Sequence, residues 1–231
     1  NSDTRPPMNI KTIVFAIFVL AGTTSCSGTY HAYYDTLKIA FSAPQDASMT
    51  PEQVSASKTD VMSVKRGERP TAIMALAYLE NGQHKWVSGD NAMLILEKGR
   101  VVRTLGLDKN LLYLSNTDSD PLKTLPLQSK ASAWQRSADW SEDEYGYPIR
   151  SSFSEPRSET LHILNKNINT TLYVESLDYD APADYIRLNR EWQNFYWFDK
   201  QSGTLVKSTQ TLSPVSEAIE FIYLSRIARL N

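Results

Sequence analysis

The sequence has little of the chemistry on which many small enzymes and metalloproteins depend. It has one cysteine, Cys26, and three histidines, His31, His84 and His162, which fall on different predicted elements. A single cysteine forms no disulfide within the chain, and no His-x₃-His or cysteine pair is present, so a structural zinc site is not expected. A G-x-S-x-G elbow and a glycine-rich phosphate loop are also missing, which argues against a serine hydrolase of that type. The sequence therefore predicts no metal and no cofactor.

The chain also lacks an excess of positive charge and a long hydrophobic run. Its formal net charge is −2, and leaving out residues 1–25, which contain Asp3, Arg5 and Lys11, changes it to −3. A nucleic-acid-binding protein needs a basic face for the phosphates, so no nucleic acid partner is expected. The uncharged run Ile13–Gly22 is too short for a transmembrane helix, which needs about 20 apolar residues.

What the N-terminal part does contain is the layout of a secretory signal. In Met8–Cys26, the positive Lys11 precedes the apolar run and small residues follow it, as in signal peptides. Residues Asn1–Pro7 precede Met8, the candidate start, and are left out of the fold. We therefore predict a signal peptide with an N-terminal extension over residues 1–25 and a single domain over residues 26–231.

Cys26 stands where such a signal would be cut, and this resembles the lipid-accepting cysteine of a bacterial lipoprotein. An unpaired cysteine elsewhere in an exported protein would be a reactive liability. Thr23 departs from the leucine that is usual there, and the alternative is a soluble secreted protein cut nearby. Each buried CH₂ contributes about 0.8 kcal/mol, so the three acyl chains of bacterial lipoproteins, palmitate among them, would hold the protein at its membrane. Because Ser27 stands where an Asp would retain such a protein in the inner membrane, the resemblance implies the periplasmic face of the outer membrane.

The pattern after the signal predicts two short helices and then antiparallel strands. Tyr30–Phe41 has the spacing of an amphipathic helix, and Thr50 is a candidate N-cap for a second helix. In Val61–Leu105, segments of alternating apolar and polar residues are separated by tight turns such as Asn81-Gly82. This pattern predicts four or five hairpin-connected strands. Asp108–Ser115 is expected to be a helical interruption capped by its aspartate. Residues 116–120 are expected to be exposed, and residues 120–125 to form a further turn.

The second half again has the pattern of short strands. Predicted strands occupy residues 133–141, 149–153, 160–164, 171–177, 185–192, 194–198 and 204–212. Glu217–Leu224 is expected to be a strand, with a helix as the alternative. Twelve tyrosines and five tryptophans also favour β structure. We predict a mainly β protein, an antiparallel barrel- or sandwich-like single domain of about ten strands with a few short helices.

Several segments, in their order along the chain, resemble one protein family. They are Trp86–Asp90, Gly99–Leu107, Tyr145–Ser151 and Asn194–Gly203, with Trp140 between them. These segments are similar to the YjbF/GfcB family of outer-membrane lipoproteins associated with group 4 capsule and exopolysaccharide secretion. The resemblance covers essentially the whole mature chain. It implies a role in exporting or assembling polysaccharide, and it supplies no catalytic residues.

An enzyme remains the alternative, because a glycosidase needs only two carboxylates about 5 to 9.5 Å apart. The candidate acids are the cluster Glu142-Asp143-Glu144, the series Asp178, Asp180 and Asp184, and the pair Glu175 and Glu191. Acids that cluster in a loop usually form a solvated turn, and the sequence does not distinguish that from an active pair.

A third hypothesis is binding through aromatic side chains, which stack on the apolar faces of sugars. Alternation places Trp192 and Tyr196 on one face of their strand and Trp197 on the other. The strand is therefore either buried on both faces, which we favour, or presents one face as an exposed platform. Residues Trp192, Tyr196, Tyr145 and Tyr147 are the candidate glycan or partner contacts.

Together these observations predict a non-enzymatic lipoprotein that acts as an accessory in capsule or exopolysaccharide export or assembly. Its expected partners are the membrane, through the lipid at Cys26, and other polysaccharide-secretion proteins or the polysaccharide itself.

Overall fold

The structure is a computed structural model, and it describes residues 46–125, 133–179 and 191–231. The predicted signal peptide, the lipidation site Cys26 and the helix Tyr30–Phe41 lie outside the described residues. So do Asp180, Asp184 and residues 185–190 of a predicted strand.

Thirteen strands in the described residues form one antiparallel sheet that closes almost completely into a barrel. The first six are β1 Val61–Arg66, β2 Ala72–Glu80, β3 Gln83–Val87, β4 Met93–Glu97, β5 Arg100–Leu105 and β6 Leu111–Leu114. The others are β7 Trp134–Trp140, β8 Glu144–Phe153, β9 Arg157–Ile163, β10 Lys166–Tyr179, β11 Glu191–Asp199, β12 Leu205–Gln210 and β13 Ile219–Ile222. The described helices are α1 Pro51–Ala56 and α2 Leu224–Ala228, with 3₁₀ turns at Thr117–Ser119 and Pro121–Lys123.

The strand order leaves one seam in the barrel. The strands follow one another as β5-β4-β3-β2-β1-β13-β12-β11-β10-β8-β7-β6, so β5 and β6 end the hydrogen-bonded path. Across the seam, the Leu111 amide donates to the Thr104 hydroxyl at 2.9 Å. β9 lies off this path and pairs with the first half of β10, whose second half pairs with β8.

Tight turns with left-handed residues set the register of the hairpins. Asn81 and Gly82 both have positive φ, as the predicted two-residue hairpin requires. Gly99 has φ of 96°, and a Cβ atom there would lie 2.3 Å from Cδ2 of Leu205. The positive φ and the displacement of Leu205 that a side chain would require therefore favour glycine at position 99.

The short helices cover the outside of the sheet. Thr50 caps α1 as predicted, with a reciprocal capping box formed by Gln53. Val54 of α1 and Leu224 of α2 belong to one small apolar cluster against the outer face of β1 and β2. No helix in the described ranges has the length and apolar character needed to cross a bilayer.

The main core fills the barrel interior, and its members come from alternate positions of nearly every strand. The predicted core tryptophans Trp86 and Trp140 are both buried in it. Trp197 is also buried, but on the outer side of β11, in a second cluster with α2 and the β9–β10 hairpin.

Two local predictions are wrong. Residues 108–115 form no helix; their last part is β6, where Leu111 and Leu114 face the barrel core next to β7. Tertiary packing at the seam thus outweighs the local helical pattern. Asp120 is buried rather than exposed, because its carboxylate binds an arginine inside the barrel.

Other predictions need smaller changes. The strand count in the described residues is thirteen rather than about ten, and β6 is a strand where a helix was expected. The segment Glu217–Leu224 contains strand β13, as favoured, and α2 begins at its last residue. The predicted turn after Asp120 is the 3₁₀ turn Pro121–Lys123.

Candidate functional site

A cluster of charged side chains lies inside the barrel, centred on Arg100 of β5. Its Nε and Nη2 atoms donate to the two oxygens of Asp120 at 2.9 and 3.0 Å. Its Nη1 atom donates to Oε2 of Glu175 at 2.5 Å and to Oη of Tyr196 at 2.7 Å. Asp120 also accepts the Leu122 amide as the N-cap of its 3₁₀ turn. One guanidinium therefore connects β5, the segment after β6, β10 and β11.

Arg136 of β7 forms the second half of this cluster. Its Nη1 atom donates to Oγ of Ser151 at 2.9 Å, and its Nη2 atom lies 3.6 Å from Oε1 of Glu175. Both arginines lie near the ring of Trp134, with Cζ to centroid distances of 3.9 Å for Arg136 and 5.0 Å for Arg100. Cation–π attraction to a buried ring thus adds to the ion pairs.

The cluster is electrically balanced, with two arginines and two carboxylates. Burial alone would raise the pKa of Glu175, but Arg100 and Arg136 hold it below its usual value. Burial opposes the charge on Arg100 as well, yet Asp120 and Glu175 raise its pKa well above the usual value. Burial lowers the pKa of Arg136 to about 10, so it remains charged at neutral pH. Burial raises the pKa of Tyr196, which keeps its hydroxyl protonated to donate to Glu175.

This cluster has the geometry of a structural element rather than of a binding site. The cavity beside Arg100 and Arg136, which Asn194 and Gln210 also line, holds about 20 Å³. That is room for about one water molecule, whereas small-molecule sites occupy roughly 300–1,000 Å³. Because a general acid needs a raised pKa, Glu175 is also unsuited to that role. Instead, Arg100 and Asp120 join β5 to the segment after β6, where the backbone ladder is interrupted.

The predicted aromatic contacts occupy different environments. Tyr196 is completely buried in the interior cluster and Trp192 is 9% exposed, packed edge-on against Tyr179. The second half of β11 is thus buried on both faces, as favoured, whereas Glu191 and Gln193 are exposed on the outer face of its first half. Trp192 and Tyr196 form no exposed platform. Tyr147 is half-buried against Tyr179, while Tyr145 at the β7–β8 hairpin is 63% exposed.

The predicted carboxylates are not brought together in the expected pairs. Glu175 points into the barrel and Glu191 lies on the outer side, so these two face opposite sides of the sheet. Glu142 and Asp143 form the left-handed turn between β7 and β8, and Glu144 pairs with Lys109. The register instead places Asp178 directly opposite Glu191.

Asp178 and Glu191 belong to a groove of about 500 Å³ on the outer face of β8, β10 and β11. We call it the outer groove and define it by six outward-facing polar residues. These are Arg150, Ser152, Ser176, Asp178, Glu191 and Gln193.

The described histidines lie apart from these sites. His84 of β3 is half-buried, and burial lowers its pKa; His162 of β9 bonds the Asn167 side chain. Within the described ranges, no group of three or more histidine, cysteine or acidic side chains has the geometry to hold a metal ion.

Sequence reasoning missed the interior cluster, although part of the signal was present. Arg136 shares one face of its strand with Trp134, Ala138 and Trp140, because these residues are two positions apart. Glu175 shares a face with Tyr173 and Leu177 in the same way. The period of two therefore places both charges on apolar faces, where a buried charge needs a partner. Arg100 and Asp120 give no such signal, since one follows a bulged turn and the other lies in a loop.

Comparison with known proteins finds a family and relatives that match most of the chain. The family model described as group 4 capsule polysaccharide lipoprotein gfcB, YjbF, matches residues 34–224. The uncharacterized lipoprotein GfcB of Escherichia coli K12 is 31% identical over 213 residues, covering 91% of this chain and 95% of that protein. The uncharacterized lipoprotein YjbF of the same organism is 32% identical over 145 residues, covering 62% of this chain and 64% of that protein.

A solved structure gives the same result for the fold. The crystal structure of the hypothetical lipoprotein YmcC from E. coli K12 superimposes with a TM-score of 0.72 at 28% identity. The match covers 87% of this chain and 97% of that one. With the family model matching most of the chain, the chain belongs to the YjbF family of group 4 capsule polysaccharide lipoproteins.

Proposed function

We propose that this protein is a non-enzymatic accessory of capsule or exopolysaccharide export or assembly, held by lipid on Cys26 at the periplasmic face of the outer membrane. The observation that carries the proposal is the match of residues 34–224 to a family of capsule polysaccharide lipoproteins. The interior supports it, because the barrel is packed and its charges are mutually neutralised. The protein would then act through its outer surface, by contacts with other secretion proteins or with the glycan.

The test combines a gene deletion with complementation by the wild type and by Cys26→Ser. We expect the wild type to incorporate radiolabelled palmitate, to fractionate with the outer membrane and to restore surface polysaccharide. The Cys26→Ser variant should take up no palmitate, appear in the soluble periplasmic fraction and restore less polysaccharide. Surface polysaccharide that is unchanged by the deletion would overturn the accessory role. Failure of the wild type to take up palmitate would overturn the tether.

A second candidate is a periplasmic polysaccharide-modifying enzyme, and one observation favours it. Asp178 and Glu191 are direct cross-strand neighbours in an open groove, and such neighbours have Cβ atoms roughly 4.5–5.5 Å apart. That Cβ spacing allows their carboxyl groups to adopt the separation of about 5 to 9.5 Å that glycosidases use. Release of new reducing ends from the host polysaccharide by the purified protein, and its loss in Asp178→Asn, would establish this activity.

A further inference from the structure

The seam between β5 and β6 is covered by a segment that contains no strand. Residues 116–125 come just after β6 and form the 3₁₀ turns Thr117–Ser119 and Pro121–Lys123. We call this segment the strap. Its backbone-to-backbone hydrogen bonds run only within the segment, and among the described residues no ladder pairs it with a neighbouring strand.

At its beginning, the strap is attached to β7. The Asn116 side-chain amide donates to the Gln135 carbonyl at 2.8 Å, and the Trp134 indole donates to the Asn116 carbonyl at 3.0 Å. The first residue of the strap is therefore fixed on the β6–β7 side of the seam.

Further along, the strap is attached to the strands on the other side of the seam. Asp120 binds the guanidinium of Arg100 of β5 through two hydrogen bonds of 2.9 and 3.0 Å. Nζ of Lys123 lies 2.9 Å from Oε2 of Glu97 of β4. Two ion pairs thus join the strap to β4 and β5, where a continuous sheet would have a ladder of backbone bonds.

The strap also covers the interior with apolar side chains. Leu122 and Leu125 are buried members of the main core, and Pro121 between Asp120 and Leu122 is buried as well. Withdrawal of the strap would bring this part of the core into contact with water. The strap is therefore the cover of the barrel interior at the seam.

The attachments of the strap are weaker than those of the strands around it. The hydrogen bonds of 3₁₀ turns have poorer geometry than those of regular elements, and an ion pair gains little once the cost of removing its charges from water is counted. Opening the strap hydrates both Asp120 and Arg100, so it leaves neither of these two charges buried without a partner. Segments held in this way open locally at a lower free energy than the whole fold.

We propose that the strap is a releasable closure of the barrel, which opens as one unit at the seam while the sheet stays folded. Opening gives solvent access to Arg100 and to the core beneath Leu122 and Leu125. The inference goes beyond the proposed function and does not depend on it, because it concerns only how the barrel is closed.

The test is native-state hydrogen exchange, followed by NMR on the whole purified protein at several urea concentrations below the unfolding transition. Relative to their intrinsic rates, the amides of Lys123 and Leu125 should exchange at least about tenfold faster than the slowest amides of β10 and β11. Urea should accelerate the strap amides only slightly, because opening the strap exposes little surface, and should accelerate the slowest ladder amides strongly. The indole N–H of Trp134 should show the weak urea dependence of the strap, since it donates to Asn116.

Three variants separate local opening from global unfolding. Asp120→Asn should accelerate exchange in the strap by about tenfold or more, since a charge-assisted hydrogen bond is lost. Asp118→Asn is the matched control, because this exposed carboxylate of the same strap lies 3.9 Å from Lys123, and it should change exchange by less than about twofold. Val206→Ala opens a cavity in a different apolar cluster, so it should accelerate the slowest amides of β10 and β11 by about tenfold and leave the strap unchanged.

If Asp120→Asn fails to fold, Lys123→Met removes the other ion pair and should accelerate the strap about threefold. The releasable closure is overturned if the strap amides have the same protection and urea dependence as the slowest ladder amides. It is also overturned if Val206→Ala accelerates the strap and the ladder equally, or if Asp118→Asn accelerates the strap as much as Asp120→Asn does.

Discussion

Glu175 and Glu191 lie on neighbouring strands of the same sheet, but they face opposite sides and have opposite surroundings. Inside the barrel, Glu175 is neutralised by Arg100 and Arg136 and accepts a hydrogen bond from Tyr196. On the outside, Glu191 faces another carboxylate, Asp178, and neither has an ion-pair partner among the described residues. The difference teaches that the same residue type stabilises the fold on one face and costs stability on the other. Removing each should therefore change the free energy of unfolding in opposite directions.

The largest effect is expected from breaking the interior cluster at its centre. Arg100→Met leaves Asp120 and Glu175 buried without their main partner, which typically costs about 3–5 kcal/mol. Urea unfolding at pH 7 measures this loss. Arg103→Met is the matched control, because Arg103 is exposed on the same strand, and it should change stability by less than about 0.5 kcal/mol. Equal losses in the two variants would show that the cluster does not hold the barrel together.

The second prediction concerns the pH dependence of the same cluster. Glu175→Gln should cost about 3 kcal/mol at pH 7, at the lower end of the range for a broken buried pair, because the amide oxygen still accepts from Arg100. Since the folded-state pKa of Glu175 lies below its usual 4.5, its carboxylate stabilises the protein above that pH. This stabilisation is lost as the pH falls through the folded-state pKa.

The measurement is therefore a series of urea unfolding curves for wild type and Glu175→Gln between pH 7 and about pH 3. The difference in stability should be constant above about pH 5.5 and should shrink below pH 4.5. A difference that grows on acidification would mean that burial, rather than the arginines, dominates the pKa of Glu175.

A smaller loss is expected from a neutral hydrogen-bonding side chain near the cluster. Gln210 of β12 accepts the Val101 amide at 3.1 Å and donates to the Gly99 carbonyl at 2.7 Å. Gln210→Met leaves the Val101 amide of β5 and the Gly99 carbonyl in the turn before it without these partners, which costs about 1–3 kcal/mol. Gln201→Met, in an exposed turn, is the control for the change of side chain and should be nearly neutral in urea unfolding. A neutral Gln210→Met would mean that other groups replace these bonds.

The strands and turns of the described residues were largely predictable because their signals are local. Asn81-Gly82, Lys98-Gly99 and the capping box at Thr50 each determine a conformation within a few residues. The exception, β6, shows the limit. Its short sequence Leu111–Leu114 has a weak local preference, and only the adjacent strand β7 makes it a strand.

The sites were less predictable because they depend on register between distant strands. Sequence reasoning paired Glu175 with Glu191, but the alternation within β10 and β11 places them on opposite faces, and the register pairs Glu191 with Asp178. Likewise, Arg100 and Asp120 meet only when the barrel closes. No spacing along the chain encodes that contact.

The smallest effect, and the one with the opposite sign, is expected at the outer groove. Glu191→Gln relieves the repulsion from Asp178 and should raise the free energy of unfolding by about 0.2–0.5 kcal/mol, since solvent screens exposed charges. Asp178→Asn should gain less, because Asp178 also lies directly opposite Arg150 of β8 and loses that attraction. The double variant should gain little more than Glu191→Gln, because either change alone removes the repulsion. Urea unfolding at low salt and at about 1 M salt, where the Debye length is about 3 Å, tests the electrostatic cause. A loss of stability in Glu191→Gln, or a gain that high salt leaves intact, would contradict it.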